Sequence, residues 1–516
     1  MWFEITLALL LLLVVLLYVY LTYHYRYWVR HGVVHVKPIP IVGNLGPLLR
    51  MKSSSAHITH AIYNYPEARN RPFVGIYLFH RPALLLRDPE LIKRILSKDF
   101  PKFSNRSLNA DCFGDPLGSL NLFFLKNPYW KEVRSKLTPF FTCWKMKQMF
   151  PLVEEVGLNL NEYLLKMPLN NNNSFQLELK ELCALYTTDV IATVAFGIQA
   201  NSFKYSNGEF RRNGREIFRF STRRALNFSV IFFLPYLVPY LGIKVVPPKQ
   251  AEFLRSAMNR VLEEREKSGI KRHDLIDILI EFKNQTTTQA RQDGLRFEGD
   301  LLVAQAAIFF TAGFETTSTT MSLALYELAK HPEMQERLRK EICDALNESR
   351  GEIPQQIVEN LEYMQMIIDE TLRLYPPLAF LDRECSLPKG QSYSLEPFHS
   401  FSIPAGMPVY TPVYALHMDP KYFPQPHEFQ PERFSPERKK LITPYTYMPF
   451  GLGPHACVGE RFTMLQAKIG LLNFLRNHRV TLGAKTVKSI IIDAKSLILQ
   501  PEGGIHLNVI RDPLKY

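Results

Sequence analysis

The stretch Phe450-Gly-Leu-Gly-Pro-His-Ala-Cys-Val-Gly459 decides how this chain is read. Cys457 stands between Gly453 and Gly459, seven residues after Phe450. A helical pattern, Glu460-Arg-Phe-Thr-Met-Leu-Gln-Ala-Lys-Ile-Gly-Leu-Leu-Asn-Phe-Leu, follows at once. The cysteine therefore occupies a glycine-rich loop at a helix N-terminus. Free N–H groups and the positive end of the helix dipole stabilise negative charge there, which favours the thiolate. A thiolate in a backbone cradle suits a soft metal centre. A single cysteine is ordinarily a small buried hydrophobe; the four-position pattern argues for more.

The chain has 516 residues, of which 46% are hydrophobic, enough for one large domain with a substantial core. Its formal net charge of +13 suits nucleic acid, an anionic membrane or an acidic protein partner. No zinc-finger spacing or RNA-binding signature accompanies the charge, so nucleic acid is set aside. The six cysteines, at 112, 143, 183, 343, 385 and 457, contain no CxxC pair. That scatter is no disulfide framework and fits a reducing compartment.

Ile5 to Leu21 is uncharged and almost wholly apolar. About 20 such residues span a bilayer. Tyr18, Tyr20, Tyr23, Tyr25, Tyr27 and Trp28 form an aromatic belt, with Arg26 and Arg30 beside it. Bulky residues stand where a cleaved signal would need small ones, so residues 1–22 read as an uncleaved anchor. Glu4 before the span and the basic residues after it place the rest on the cytoplasmic side. Residues 23–46 form an aromatic and basic flank and a stiff hinge, Lys37-Pro-Ile-Pro-Ile-Val-Gly-Asn44. Residues 47–516 form the main domain.

Within it, Phe73 to Leu86 reads as a β-hairpin, Asp88 opens a helix, and helical patterns dominate from Pro128 to about residue 350. Trp130 and Arg134 share one helix face. Val230 to Gly242 is apolar, but its prolines and length exclude a span; it suits a surface patch that dips into a membrane or the roof of an apolar pocket. Phe282 to Gly294 reads as a polar loop. Leu301 to Lys330 reads as one long buried helix carrying Ala312-Gly-Phe-Glu-Thr316 at its centre. A glycine, an acid and a threonine are each costly there. The plain alternative is a glycine at a helix crossing and a threonine bonded back to its own helix. Asn360 to Pro377 is an amphipathic helix stopped by two prolines, with Glu370 and Arg373 on one face. Pro431-Glu-Arg-Phe434 follows.

In this order the motifs resemble the cytochrome P-450 family, the haem-thiolate monooxygenases. The detail is closest to its microsomal, insect-type members, which oxidise xenobiotics and lipophiles. The resemblance implies a mostly α fold with a small β-rich lobe, as a single large domain behind an N-terminal transmembrane anchor. It implies haem b with Cys457 as the axial thiolate. Phe450, Gly453 and Gly459 build the ligand loop, and Ala312 lies against the haem. Thr316 and Glu315 manage protons beside a widening at Gly313. Glu370, Arg373 and Arg433 form a buried structural network. Propionate contacts fall to Trp130, Arg134 and Arg383. The family usually has arginine two residues before the cysteine; His455 stands here, shorter and charged only part of the time near neutral pH.

The implied reaction inserts one oxygen atom of O2 into a lipophilic small molecule, with electrons from an NADPH-dependent reductase and cytochrome b5 as an optional second donor. The implied location is the endoplasmic reticulum membrane. Two other readings stand beside it. One is an oxygen-independent haem-thiolate isomerase, against which Thr316 counts. The other is a non-catalytic haem-binding membrane protein, for which His455 is the hint. Pocket walls are expected from residues 105–125, 201–243, 303–316, 377–381 and 501–504.

Overall fold

The computed structural model describes residues 1–288 and 296–516. The apolar N-terminus forms one helix, Trp2–His24, exposed as far as Tyr20, and near its end the Tyr20 and His24 rings meet His80 of the domain. It is long and apolar enough to cross a membrane. So is Asp300–Lys330, but that helix is 72% buried within the domain and forms its core.

Residues 28–46 pack on the first sheet. Trp28 is fully buried, and its indole N–H donates to the Ile76 carbonyl at 3.0 Å. Its ring fills the space beside Gly75, where a Cβ would come within 2.7 Å. Val36 and Asn44 donate their backbone N–H groups to the Gly75 and Tyr77 carbonyls. The expected hairpin is present: Phe73–Leu78 and Arg81–Leu86 pair antiparallel, Phe73 opposite Leu86. Pro408–Thr411 joins the second strand in parallel, and Leu381–Glu384 closes the four-stranded sheet. A second sheet joins Ser174–Glu178, His506–Arg511 and His478–Thr481, with the C-terminal strand in the middle. The rest of the described chain is mainly helical, as expected.

The central helix, Asp300–Lys330, crosses Leu179–Phe196, a helix buried on every side. Gly313 sets the crossing, since a Cβ there would come within 2.5 Å of Ile191 Cδ1. Phe310 and Phe314 are fully buried and pack on Phe196, Phe210 and Phe218, so these rings are core.

Two sequence expectations change. Residues 282–288 are not loop but the end of a helix, Leu275–Thr288, and residues 289–295 lie outside the described residues. Asn, Gln and Thr each lower helix propensity by only about half a kcal/mol. A helix already nucleated on buried Ile276 and Leu279 propagates past them. The Val230–Gly242 stretch divides. Ile231, Phe232 and Phe233 are buried and the last two pack on Phe380. The chain then bends by 111° and leaves Tyr240 85% and Leu241 58% exposed.

Candidate active site

The cysteine loop is fixed by its own backbone. The Cys457 N–H donates to the Phe450 carbonyl at 2.8 Å, and the Ala456 N–H to that of Gly453 at 2.9 Å. Gly453 has φ +74°, and a Cβ there would fall 2.0 Å from the Leu96 carbonyl oxygen. Only glycine fits this turn. Gly459 is the N-cap of Glu460–Leu475, and a Cβ there would make just an ordinary 3.7 Å contact with Phe141.

Cys457 is exposed by surface area, yet desolvation is the largest influence on its thiol and pushes its pKa up. A side chain with both properties borders an internal space rather than bulk water. The Gly459 N–H and the Arg134 guanidinium pull the pKa down, and Glu460 pushes it up. The expectation that this loop alone favours the thiolate is therefore corrected: burial outweighs the helix end. A metal cation at the sulfur would supply the missing stabilisation. Among the described residues, no three His, Cys, Asp or Glu side chains gather as a metal site. A metal held by Cys457 must therefore bring its other ligands with it, as a macrocycle does.

The central helix is buried along most of its length but opens between residues 308 and 316, where Ile308, Phe309, Thr311, Ala312, Gly313 and Thr316 are not buried; Ile308, Ala312 and Thr316 lie at i, i+4 and i+8. They form one stripe. Phe309, beside that stripe, packs on Phe141 at 5.4 Å, and Phe141 abuts Gly459. Two phenylalanine rings thus join the accessible stripe to the cysteine loop. The Thr316 hydroxyl donates to the Ala312 carbonyl at 2.7 Å, the plain helix-bonded arrangement, and the helix is unbroken there. Gly313 belongs to the Ile191 crossing. Glu315 is buried and tied. Lys180 Nζ lies 2.8 Å from its Oε1, and the Gln500 amide donates to the same oxygen at 2.9 Å. Lys180 Nζ also donates to Ser318 Oγ at 2.6 Å.

Arg106, Arg134 and Arg383 gather near the cysteine loop, and only Arg106 pairs with a carboxylate. Arg106 pairs with Asp382 at 3.4 Å. Arg383, 2% exposed, makes one hydrogen bond, to the Asp382 carbonyl, and its Nε has no partner. The Nε of Arg106 is likewise buried and unpartnered. Burial lowers the Arg134 pKa, against the pull of Cys457, and Arg134 forms no ion pair among the described residues. Burial first, and then Arg106, bring the Arg383 pKa down to about 9. Surplus cations with orphaned donors suit a group carrying two carboxylates, which is what haem presents.

His455 lies among them in a neutral role. Its ring stacks on Trp130 at 3.8 Å, and Nε2 lies 2.8 Å from the Ser104 carbonyl. A carbonyl only accepts, so Nε2 carries the proton. Burial, then Arg383 and Arg106, hold its pKa far below the ordinary histidine value. Through Nε2 the ring ties the cysteine loop to residue 104. Arg106 and Asp382 escaped the sequence reading; no spacing marks them, because they meet across 276 residues.

Glu370 and Arg373 are fully buried, paired at 2.7 and 2.8 Å. Arg433 Nε lies 3.4 Å from Glu370. Arg373 also donates to the carbonyls of His417, Pro426 and Glu428. His417, which the sequence reading did not single out, completes the network. Its Nδ1 lies 3.1 Å from the Arg373 carbonyl, and its Nε2 accepts from the Met448 N–H at 3.0 Å. Met448 in turn precedes the loop that carries Cys457, so this network fixes the ground on which that loop stands.

The family model described as cytochrome P450 matches residues 35–509. The chain is 59% identical over 498 residues to probable cytochrome P450 6g2 of Drosophila melanogaster, covering 95% of each chain. It is 41% identical over 502 residues to cytochrome P450 6k1 of Blattella germanica, covering 94% of this chain and 93% of the other. A cysteine loop, an accessible stripe opposite it and a surplus of guanidiniums thus occur in a chain that belongs to the cytochrome P450 family, the haem-thiolate monooxygenases, which carry haem b on a cysteine thiolate.

Proposed function

We propose that Cys457 is the axial ligand and that the haem lies between its loop and the stripe Ile308, Ala312, Thr316. The observation that carries this is the accessible yet desolvated Cys457 joined through Phe141 and Phe309 to that stripe. Arg106, Arg134 and Arg383 hold the propionates, and Trp130 and His455 form the wall beside them. Phe450, Gly453 and Gly459 shape the loop. When bound, the haem supplies dioxygen activation and electron storage. The chain's own residues orient and shield it. Thr316 spends its hydroxyl proton on Ala312, so its oxygen lone pairs are free to accept from a water and hold it in place. Glu315, held as a carboxylate by Lys180 and Gln500, takes protons from solvent and relays them to that water.

The substrate is a lipophilic small molecule of the xenobiotic, steroid-like or fatty-acid-like kind. Phe232, Phe233 and Phe380 supply an apolar wall where residues 201–243 and 377–381 meet. Electrons come from NADPH through a reductase, which meets the basic surface around Lys131, Lys145 and Lys147. Lys136, by contrast, lies 4.4 Å from the Phe297 ring and is engaged within the fold. The helix Trp2–His24 anchors the chain in the endoplasmic reticulum membrane with the domain on the cytoplasmic face, and the exposed Tyr240 and Leu241 touch the same bilayer.

Cys457→Ser should abolish the thiolate-type absorption of the reduced carbon monoxide complex, while the same change at any of the other five cysteines keeps it. Loss at another cysteine alone would overturn the assignment. Thr316→Ala should keep the spectrum and divert electrons from product to hydrogen peroxide. An unchanged product yield per NADPH would remove Thr316 from proton handling.

A further inference from the structure

We propose that Trp144 is the apolar anchor by which the electron-donating reductase seats on this protein. This rests on the reading above that the basic surface beside the cysteine loop receives the reductase. Trp28 and Trp130 are 0% and 4% exposed, whereas Trp144 is 62% exposed on the folded domain. It stands in the first turn of the helix Cys143–Leu165 and contributes nothing to the core.

Its neighbours are cationic. Lys145 Nζ lies 5.1 Å from its ring. Lys147, one turn on at i+3, is exposed on the same side. Arg461 Nη1 donates to Cys143 Sγ at 3.2 Å, which brings the start of the helix Glu460–Leu475 against the start of Cys143–Leu165. Lys439 is paired with Asp369, but Lys145, Lys147 and Arg461 form no ion pair among the described residues.

The positions of these cations run against helix electrostatics. A helix N-terminus is positive and favours acids. The first turn of Cys143–Leu165 holds no acid and carries Lys145. Arg461 sits in the first turn of the other helix beside Glu460, the acid that such a helix end favours. Lys145 and Lys147 have no ion-pair partner among the described residues and stand on the rim of one exposed indole, and an acidic surface laid over it would balance them. A large aromatic at the centre of a charged rim is the usual make-up of a binding hot spot, the rim steering the partner and the ring retaining it.

The partner's nature follows from what the patch touches. Phe141, three residues before Trp144, lies against Gly459, two residues after Cys457. Arg461 is four residues after the same cysteine. A protein seated on Trp144 rests on the elements that carry the axial ligand. That is where an electron donor needs to be, and it is of no use to a substrate or a lipid.

The test is a reductase titration of the full-length, haem-loaded protein in phosphatidylcholine vesicles, comparing wild type, Trp144→Ser, Trp144→Phe and the double variant Lys145→Glu, Lys147→Glu. Leu158→Ser, at a 47% exposed position on the same helix, is the control. Trp144→Ser should raise the apparent KM for reductase by about tenfold at both low and high salt. Trp144→Phe should recover most of it, and the control should not move. The lysine reversals should raise KM at low salt only. Saturating reductase should also protect the wild-type fluorescence from acrylamide, and that protection should vanish in Trp144→Ser. The carbon monoxide spectrum should be the same in all. If the lysine reversals act while Trp144→Ser stays within about twofold of wild type, the anchor is refuted and basic docking stands. If neither acts, both are refuted.

Discussion

Two clusters of buried arginine flank the cysteine loop, and they are built to opposite standards. Around Glu370 every donor of Arg373 is used: two on the carboxylate, three on the carbonyls of His417, Pro426 and Glu428. Around Asp382 only Arg106 pairs with the carboxylate, Arg383 bonds just the backbone carbonyl, and the Nε atoms of both have no hydrogen-bond partner. The first cluster engages every donor of Arg373, although Arg433 Nε makes only a 3.4 Å ion pair and no hydrogen bond. The second leaves Arg383 and Arg134 with no carboxylate of their own, a charge that an anionic group would balance.

The largest break in this comparison is at the completed cluster. Arg373→Ala should cost about 3–5 kcal/mol, since it strands the Glu370 carboxylate in the interior. The expected outcome is loss of soluble folded protein, seen in circular dichroism and thermal melting. Arg373→Lys should fall short of rescue, because one ammonium cannot replace five directed N–H groups. A well-folded Arg373→Ala protein would show that the cluster is not structural.

A change at the open cluster should have the reverse sign. Arg383→Met removes a buried cation that has no carboxylate of its own. The haem-free protein should be as stable as wild type or more so, by about 1 kcal/mol. The haem-loaded protein should pass its haem to an apo-globin acceptor several-fold faster. A lower melting temperature of the haem-free variant together with slower haem transfer would contradict the contrast between the clusters.

A third effect concerns acid. Burial brings the His417 pKa down to about 3, with Arg373 adding to it. Unfolded, the ring titrates near 6.5. A depressed folded pKa means that stability is fully present above about 6.5 and is lost as pH falls toward 3, at about 1.4 kcal/mol per pH unit. Between pH 7 and 5.5, wild type should therefore lose about 1.4 kcal/mol more than His417→Asn in urea unfolding. Equal losses would show that His417 does not titrate with unfolding.

The completed cluster was largely legible in the sequence, and the open one was not. Glu370 and Arg373 lie three apart on one helix, and Cys457 lies among glycines whose backbone demands show in the residue type. Gly453 is the clearest case, since the Leu96 carbonyl leaves no room for a Cβ. Arg106 and Asp382, by contrast, meet across 276 residues, and Lys180 and Ser318, beside Glu315, across 138. Neither has a local spacing to read. His417 looked like one histidine among 14; only the fold brings it between Arg373 and Met448. The second sheet was unreadable for the same reason, as Ser174–Glu178 pairs with the C-terminal His506–Arg511. At His455 the sequence showed the departure from the usual arginine but not its consequence. That depends on the Ser104 carbonyl and the Trp130 ring, both far away in the chain.

Trp28 has a bearing on supply. It is locked into the first sheet only four residues after the anchor helix ends at His24. Four residues reach at most about 14 Å, so a domain on this tether never leaves the neighbourhood of the bilayer surface. Under the anchored reading, the concentration that matters for a substrate is then its concentration in the lipid. A compound that partitions strongly into the membrane is collected over the whole bilayer area and arrives by diffusion in two dimensions. Of two compounds with the same intrinsic fit, the more lipophilic is turned over at the lower aqueous dose.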